Sequence, residues 1–299
     1  MTTASRRVSF FTGCLLLLLF NASTASAGTV YNFESCNLGP IGVWNNGPPP
    51  GCDLWYTPPS YLVPNSAPAT VYPYSFIESY GVAADPRGGN NLLILSGNGN
   101  SQIGTVTYDR AQHGFNFSGA SEWAVGYDIS VVNVNNPGNS DDAYYIGGFS
   151  IMSTNGGASL IVDDAWDNSS TDSTWSSIYW DYDAQGNLDG VVAWTGLAQN
   201  HWYSESTVFD TNSNRILSLS LTDLTTNLTE TISPTGWYMA GGAGAPFGAN
   251  AFRFAGLGWG NGMLVDNVTL DPVPEPATLF LAGIGLIALI ALRRREITS

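Results

Sequence analysis

The stretch from Glu122 to Val134 alternates apolar and polar residues, and it constrains the fold more than any other part of the chain. Its apolar residues of one parity are Trp123, Val125, Tyr127, Ile129 and Val131. Successive side chains of a strand point to opposite faces of a sheet. The alternation therefore predicts a strand with one face buried in a core.

Twelve further segments are predicted as strands, and turn residues separate most of them at short intervals. They span residues 30–35, 91–96, 104–108, 144–152, 159–162, 177–182, 191–194, 203–209, 216–221, 228–232, 251–256 and 263–270. Many short strands with regular turns are typical of a two-sheet antiparallel sandwich. We therefore expect one all-β domain over residues 28–271.

Charge narrows the classes of partner. The chain has 9 basic and 24 acidic residues, a formal net charge of −15. The basic residues are all arginine, and Arg6, Arg7, Arg293, Arg294 and Arg295 lie in the two terminal segments. The body between them is consequently strongly acidic, which excludes nucleic acid as a partner because such binding needs a basic face.

The N-terminal segment has the features of a secretory signal peptide. Two arginines precede an apolar run over residues 8–20, and the small residues Ala25, Ser26 and Ala27 follow it. This order predicts cleavage after residue 27 and export of the body. In the oxidising compartment beyond the membrane, Cys36 and Cys52 are expected to form a disulfide. Closing this short loop would stabilise the fold by about 3 kcal/mol.

The C-terminal segment, residues 272–299, has three parts. Pro274, Glu275 and Pro276 form an extended tether, since proline interrupts both strands and helices. Residues 277–292 carry no charge, and as a helix they would span about 24 Å, near the lower limit for a membrane crossing. Arg293, Arg294 and Arg295 would then stay on the cytoplasmic side.

This order of parts resembles the PEP-CTERM sorting signal of Gram-negative bacteria. The resemblance implies that an exosortase, a membrane transpeptidase, removes the tail and passes the body towards the cell surface or the extracellular matrix. The precursor would be anchored in the inner membrane before processing. The alternative is a simple membrane anchor.

The two ends of the body look like the first and last strands of jelly-roll carbohydrate-binding modules and concanavalin-like domains. These ends are residues 31–35 and 264–270. The resemblance implies a jelly-roll, lectin-like sandwich in which Glu34 and Asp266 bind a structural calcium ion. Asp266 shares parity with Leu264, Val268 and Leu270, so it would point inward with them. The alternative, that Asp266 meets water or backbone amides at a strand end, stays open. No other cofactor is expected.

Five tryptophans in the middle of the chain suggest a carbohydrate ligand, because flat aromatic faces suit the C–H face of a sugar. Trp166, Trp175 and Trp202 are flanked by polar residues and are the surface candidates. Trp180 shares parity with Ile178 and Tyr182, and Trp194 shares parity with Val192, which favours packing between the sheets.

No recognised catalytic motif surrounds His113 or His201, and the glutamates are scattered singly. Residues 181–192 imitate the start of a calcium loop, but Val192 replaces its last acidic ligand, which favours a hairpin turning at residues 184–187. The sequence therefore predicts a non-enzymatic, interaction-type body on an exported surface or matrix protein. The alternatives are a carbohydrate-binding module for exopolysaccharide and, third, a glycoside hydrolase or lyase.

Overall fold

The computed structural model describes residues 29–42, 52, 54–58, 66–95, 108–133, 146–153, 157–166, 174–257 and 261–273. The predicted signal peptide, the apolar segment 277–292 and the residues Pro274, Glu275, Pro276, Arg293, Arg294 and Arg295 lie outside these ranges. Among the described residues, no helix has the length and apolar character needed to cross a membrane.

The described chain forms sixteen strands and one short helix. The strands are β1 (Thr29–Tyr31), β2 (Gly39–Pro40), β3 (Ser66–Pro68), β4 (Thr70–Pro73), β5 (Asn91–Leu95), β6 (Tyr108–Gly114), β7 (Glu122–Asn133), β8 (Gly147–Met152), β9 (Ala158–Trp166), β10 (Thr174–Tyr182), β11 (Leu188–Ala198), β12 (Tyr203–Asp210), β13 (Arg215–Asp223), β14 (Leu228–Ile232), β15 (Ala251–Leu257) and β16 (Asn261–Pro272). The helix, α1, spans Tyr74–Glu78.

The strands form two sheets. The nine-stranded sheet runs β14-β13-β12-β7-β16-β5-β4-β2, with β1 paired to the far half of β16. The seven-stranded sheet runs β11-β10-β9-β8-β15-β6-β3. The described pairings are antiparallel except that of β3 with β6. This is the predicted all-β, two-sheet sandwich of jelly-roll type.

The core lies between the two sheets. The five alternating residues of β7 are buried there as the sequence predicts. Phe149, Phe252 and Phe254 face them from the seven-stranded sheet, and the ring of Tyr127 lies 5.1 Å from the rings of Phe149 and Phe254. Interdigitated aromatic side chains of this size supply much of the apolar area that holds a sandwich together.

A second, smaller core covers the outer face of the nine-stranded sheet. Helix α1 and the segment after it place Tyr74, Ile77 and Val82 over Leu92 and Leu264 of the sheet. The indole Nε1 of Trp202 donates to the carbonyl oxygen of Ala83 at 2.8 Å and secures this cover. Both faces of the central strands β5, β7 and β16 are consequently buried, which period-two alternation alone does not predict.

A β-bulge in β16 changes which parity faces the main core. Asp266 pairs with Asp128 and Thr269 with Gly126, so Asn267 and Val268 together oppose a single residue. Asn267 has a left-handed backbone with φ of 46°. Before the bulge Val265 faces the main core, and after it Val268 does. The prediction that Asp266 points inward with Val268 and Leu270 is therefore wrong, because the extra residue turns Asp266 to the outer face.

An irregular register in β11 likewise changes which of the central aromatic residues face the main core. Ser177 pairs with Trp194 and Ile178 with Val192, so Ala193 is an extra residue on β11. Trp194 is buried in the main core, whereas Val192 is exposed. On β10, Tyr179 faces the core and Trp180 faces outward over Gly190. The predicted core packing is thus correct for Trp194 and wrong for Trp180.

Most predicted strands coincide with observed ones, and the exceptions are at the N-terminal half. Of the strand predicted at residues 104–108 only Tyr108 is described, and β6 continues from it to Gly114, beyond the predicted end. Strand β4 and helix α1 were not predicted, and they follow the proline-rich segment. The Cys36–Cys52 disulfide is present, as predicted.

Candidate functional site

A cleft opens at one side of the sandwich, between the two strands that end the sheets in the described part of the chain. Strand β11 is the edge of the seven-stranded sheet and β14 is the edge of the nine-stranded sheet. The cleft between them has a volume of about 370 Å³. Its lining residues are Ala193, Trp194, Thr195, Leu197, Tyr203, Leu221, Asp223, Thr226, Leu228 and Glu230. A cleft of this volume is within the range of small-ligand sites.

The floor of the cleft is aromatic and aliphatic. Trp194, Leu197, Tyr203 and Leu221 are all at least nine-tenths buried, so only a small part of each reaches the opening. The hydroxyl of Tyr203 accepts a hydrogen bond from the amide of Ala198 at 2.9 Å. These contacts hold the end of β11 against β12 and keep the cleft preformed.

The rim of the cleft is polar and acidic. Asp223 uses Oδ1 to accept hydrogen bonds from the amides of Thr225 and Thr226, at 2.8 and 3.1 Å, and it contacts His201 Nε2 at 2.8 Å. Burial opposes ionisation, but these hydrogen bonds outweigh it and lower the pKa of Asp223 to about 2. Glu230 and Thr195 complete the rim, so the cleft carries negative charge at neutral pH.

The tryptophans predicted to lie at the surface are buried. Trp175 has no exposed area and its Nε1 donates to the carbonyl oxygen of Ala198 at 3.2 Å. Trp202 is 2% exposed beneath the cover of the nine-stranded sheet. The prediction of exposed indoles at Trp175 and Trp202 is therefore wrong, since polar neighbours in sequence do not determine which face of a strand a side chain takes. Trp166 ends β9, and its side chain is outside the described part of the structure.

The segment after Asp181, whose sequence imitates the start of a calcium-binding loop, forms a hairpin turn, as predicted. Asp183 Oδ1 accepts hydrogen bonds from the amides of Gln185 and Asn187, both at 2.9 Å. Gly186 has φ of 84°, which suits a tight turn between β10 and β11. The carboxylate of Asp183 thus stabilises its own loop.

A network of four carboxylates lies under the cover of the nine-stranded sheet. It contains Glu34, Asp85, Asp128 and Asp266, and Asp128 and Asp266 have no exposed area. Burial raises the pKa of Asp266 to about 7, and the charges of Asp85 and Glu34 act in the same direction. Gly88 and Gly89 leave room for these acids because they have no side chain. A Cβ atom at Gly88 would overlap Asp266, and one at Gly89 would overlap Glu34.

Each of the eight oxygens of this carboxylate network accepts a hydrogen bond. Asp266 accepts from the hydroxyl of Tyr74 and from the amide of Asn267, both at 2.7 Å. The side-chain amide of Asn267 bridges Asp85 and Asp128 at 3.2 and 3.0 Å. The backbone amide of Arg87 donates to Asp85, and its guanidinium donates to Asp128.

Glu34 completes the network by accepting from Asn90 and Asn91. The amides of both residues donate to Oε1, and the side chain of Asn90 donates to Oε2 at 3.3 Å. Among the described residues, no three Asp, Glu, His or Cys side chains are placed to hold one metal ion. Each oxygen of Glu34 and Asp266 already has a protein donor, which favours a hydrogen-bonding role for these residues, and their binding of calcium stays a prediction.

The titratable groups suited to catalysis are buried or engaged. Glu205 has no exposed area, and it accepts a hydrogen bond from the hydroxyl of Tyr127 at 2.8 Å. His113 is 3% exposed and stacks on Phe252 with ring centroids 5.2 Å apart. His201 lies beside the cleft in its contact with Asp223.

Sequence reasoning missed Trp194 as a cleft residue and Asp85, Arg87 and Asp128 as members of the carboxylate network. The isolated Gly196, with φ of 69°, is the sequence signal that could have indicated irregularity in β11. No comparable signal marks the network, because its members come from four distant parts of the chain.

Comparison with known proteins identifies the C-terminal segment. Residues 272–295 match the PEP-CTERM protein-sorting motif, in agreement with the sequence analysis. Such a motif implies export, a membrane-anchored C-terminal sorting signal, processing by an exosortase and delivery to the surface. No curated protein has a significantly similar sequence.

Solved structures with a similar arrangement of strands include two polysaccharide lyases. The endo-β-1,4-glucuronan lyase of Trichoderma reesei is 12% identical, with a TM-score of 0.39 over 80% of this chain and 96% of the enzyme. The exolytic alginate lyase of Zobellia galactanivorans is 10% identical, with a TM-score of 0.46 over 83% of this chain and 100% of the enzyme.

Proposed function

We propose that the chain is the precursor of a non-enzymatic surface or matrix protein of a Gram-negative bacterium, from which an exosortase removes the C-terminal tail. The observation that carries this proposal is the position of the sorting motif relative to the fold. The motif begins at residue 272, which is the last residue of β16. Cleavage beyond this point leaves every described strand in the body.

The burial of the reactive groups supports an interaction role for the body. Glu205 and His113 are inside the sandwich, where a polymeric substrate does not reach them. Asp223 has a pKa well below the range useful for general acid–base catalysis at neutral pH. An enzymatic body would need a proton donor or acceptor at the surface; in the described part of the chain the cleft lining offers Glu230, and His201 beside the cleft is engaged with Asp223.

The sorting step is tested by alanine substitution of Pro274, Glu275 and Pro276 in the native host. The variant is expected to keep its tail and to stay in the inner-membrane fraction, as judged by mass spectrometry of the purified protein and by fractionation. Thr278→Ala, in the same tail but outside the Pro-Glu-Pro triplet, is the matched control and should be processed normally. Normal processing and surface delivery of the triple variant would reject the proposal in favour of a plain membrane anchor.

A further inference from the structure

The cleft between β11 and β14 combines the chemical groups that a sugar ring needs. Trp194 and Tyr203 present apolar surface at the floor, where the C–H face of a sugar can pack. Thr195 adds a hydroxyl group that can both donate and accept hydrogen bonds. The register Tyr203↔Asp223 and Leu221↔Glu230 places both rim carboxylates on the inter-sheet side, facing the opening.

The negative charge of the cleft favours sugars that carry no acidic group. Its lining has two carboxylates and no arginine or lysine, and the chain as a whole is strongly acidic. The backbone amides of Thr225 and Thr226 and the ring of His201 contact Oδ1 of Asp223, the hydroxyl of Thr226 also hydrogen-bonds to this carboxylate, and its side chain is 28% exposed. A sugar hydroxyl or ammonium group can approach the exposed part of this carboxylate and the exposed Glu230, whereas a uronic acid or a sulfated sugar would be repelled.

The apolar part of the rim argues against a purely solvated surface. Leu228 is 70% exposed beside Glu230 on the edge strand, the highest exposure among the large apolar side chains described as exposed. An exposed leucine next to a polar rim and above an aromatic floor is typical of a binding cleft. The volume of about 370 Å³ is sufficient for one or two sugar rings.

We propose that this cleft binds a short segment of a glycan built from neutral or amino sugars and not from uronic acids. The site is distinct from Trp166, Trp175 and Trp202, which the sequence analysis selected as surface candidates, and it does not depend on the sorting step. Glu230 and the exposed part of the Asp223 carboxylate accept hydrogen bonds from the sugar, and Leu228 and the accessible parts of Trp194 and Tyr203 contact its ring.

The test is calorimetric titration of the purified full chain with three trimers: N-acetylglucosamine trimer, glucosamine trimer and galacturonate trimer. A zwitterionic detergent without a sugar head group keeps the tail in solution without competing for the cleft. The two non-anionic trimers are expected to bind, and the galacturonate trimer at least tenfold more weakly.

Two variants assign the binding to the cleft. Glu230→Gln should weaken the glucosamine trimer about threefold to tenfold and change the N-acetylglucosamine trimer less, because only the former carries ammonium groups. Ala193→Trp, which fills the cleft, should abolish binding of both. Glu78→Gln, on α1 across the nine-stranded sheet, is the matched control and should bind like the natural chain. Equal melting temperatures confirm that each variant is folded.

Three results would overturn the proposal. These are binding of no trimer, binding of galacturonate as tight as that of the other trimers, and binding unaffected by Ala193→Trp. If instead the chain dimerises and Ala193→Trp dissociates the dimer, the cleft is an interface between copies and does not bind glycan. Because these measurements do not involve tail removal, their failure leaves the sorting proposal standing, and failure of the sorting experiment leaves the cleft proposal standing.

Discussion

The hydroxyl of Tyr74 donates a hydrogen bond of 2.7 Å to Oδ2 of Asp266, although the two residues are 192 positions apart in sequence. Tyr74 begins helix α1 and Asp266 precedes the bulge of β16. Since both side chains are buried, the bond fastens the cover of the nine-stranded sheet to the last strand of the fold.

Tyr74→Phe removes this hydroxyl and leaves a buried carboxyl group with one hydrogen bond fewer. We expect the free energy of unfolding to fall by about 1–3 kcal/mol, the usual cost of an unsatisfied buried polar group. Urea unfolding measures the change. Tyr80→Phe is the control, because Tyr80 is exposed and its hydroxyl contributes little. Equal stability of the Tyr74 variant and the natural chain would show that the bond does not hold the cover.

Glu205 makes the stability of the chain depend on pH. Burial raises the pKa of Glu205 to about 7 from 4.5, so the folded state binds a proton more tightly than the unfolded state. Its contribution to stability is complete below about pH 4.5 and is lost as the pH rises through about 7.

Glu205→Gln replaces the carboxyl with a neutral group of the same shape and should reduce this pH dependence. We expect the variant to be more stable than the natural chain at pH 8, by on the order of 1–3 kcal/mol, and similar to it at pH 5. Thermal unfolding at both values measures the difference. Glu78→Gln, at an exposed position, should leave the pH dependence unchanged. A parallel pH profile for Glu205→Gln and the natural chain would contradict the assignment.

Asn267 combines a left-handed backbone with a bridging side chain, and two substitutions separate the effects. Both Asn267→Gly and Asn267→Ala lose the hydrogen bonds to Asp85 and Asp128 and should destabilise the fold by about 1–3 kcal/mol. Alanine should cost about 1 kcal/mol more than glycine, because its Cβ disfavours φ of 46°.

Asn227 is the matched control for the Asn267 variants. It also has a left-handed backbone, with φ of 58°, but it is exposed in the turn before β14. Asn227→Gly should therefore change stability little. If Asn267→Gly is equally harmless, the bridge between Asp85 and Asp128 does not contribute to stability.

Arg87 is the cation of the carboxylate network. Its replacement should destabilise the fold, whereas removal of metal ions by a chelator should not. Its guanidinium contacts Asp128, which has no exposed area, while the arginine side chain is 51% exposed. We expect Arg87→Gln to lower the free energy of unfolding by about 2 kcal/mol, since it leaves a buried carboxylate without its charge partner. Arg87→Lys, which retains the charge, should lose less.

A chelator, by contrast, should leave the melting temperature of the natural chain unchanged, because hydrogen bonds already satisfy each carboxylate oxygen of the network. A drop in melting temperature with chelator, restored by added calcium, would show that Glu34 and Asp266 bind calcium as the sequence resemblance implied.

Strand positions could be predicted where alternation is continuous, as in β7, or where turn residues bound a short apolar run, as in β14. The carboxylate network could be predicted only in part. The resemblance selected Glu34 and Asp266, and the structure brings both near Gly88 and Gly89. Asp128 and Arg87 could not be predicted, because an acidic residue on the polar parity of β7 is expected to face water, and no sequence feature shows that α1 covers it.

The cleft could not be predicted from the sequence for a related reason. Trp194 was predicted as core and does pack there, but a bulge at Ala193 and another irregularity near Gly196 expose its edge to the opening. Bulges shift the parity of every later residue in a strand, and they depend on how two strands pair. The local sequence of β11 therefore does not determine which side chains reach the cleft.

The sequence by itself determined the features whose physics is local: the all-β class, the acidic body, the Cys36–Cys52 pair and the terminal sorting segment. Each depends on the period of apolar residues, on composition or on the order of a few neighbouring residues. Only the tertiary structure decided that Asp266 lies under α1, that Trp175 and Trp202 are buried, and that β11 and β14 leave a cleft. These outcomes depend on contacts between distant residues, and the free energy of such contacts is absent until the strands pair and the sheets pack.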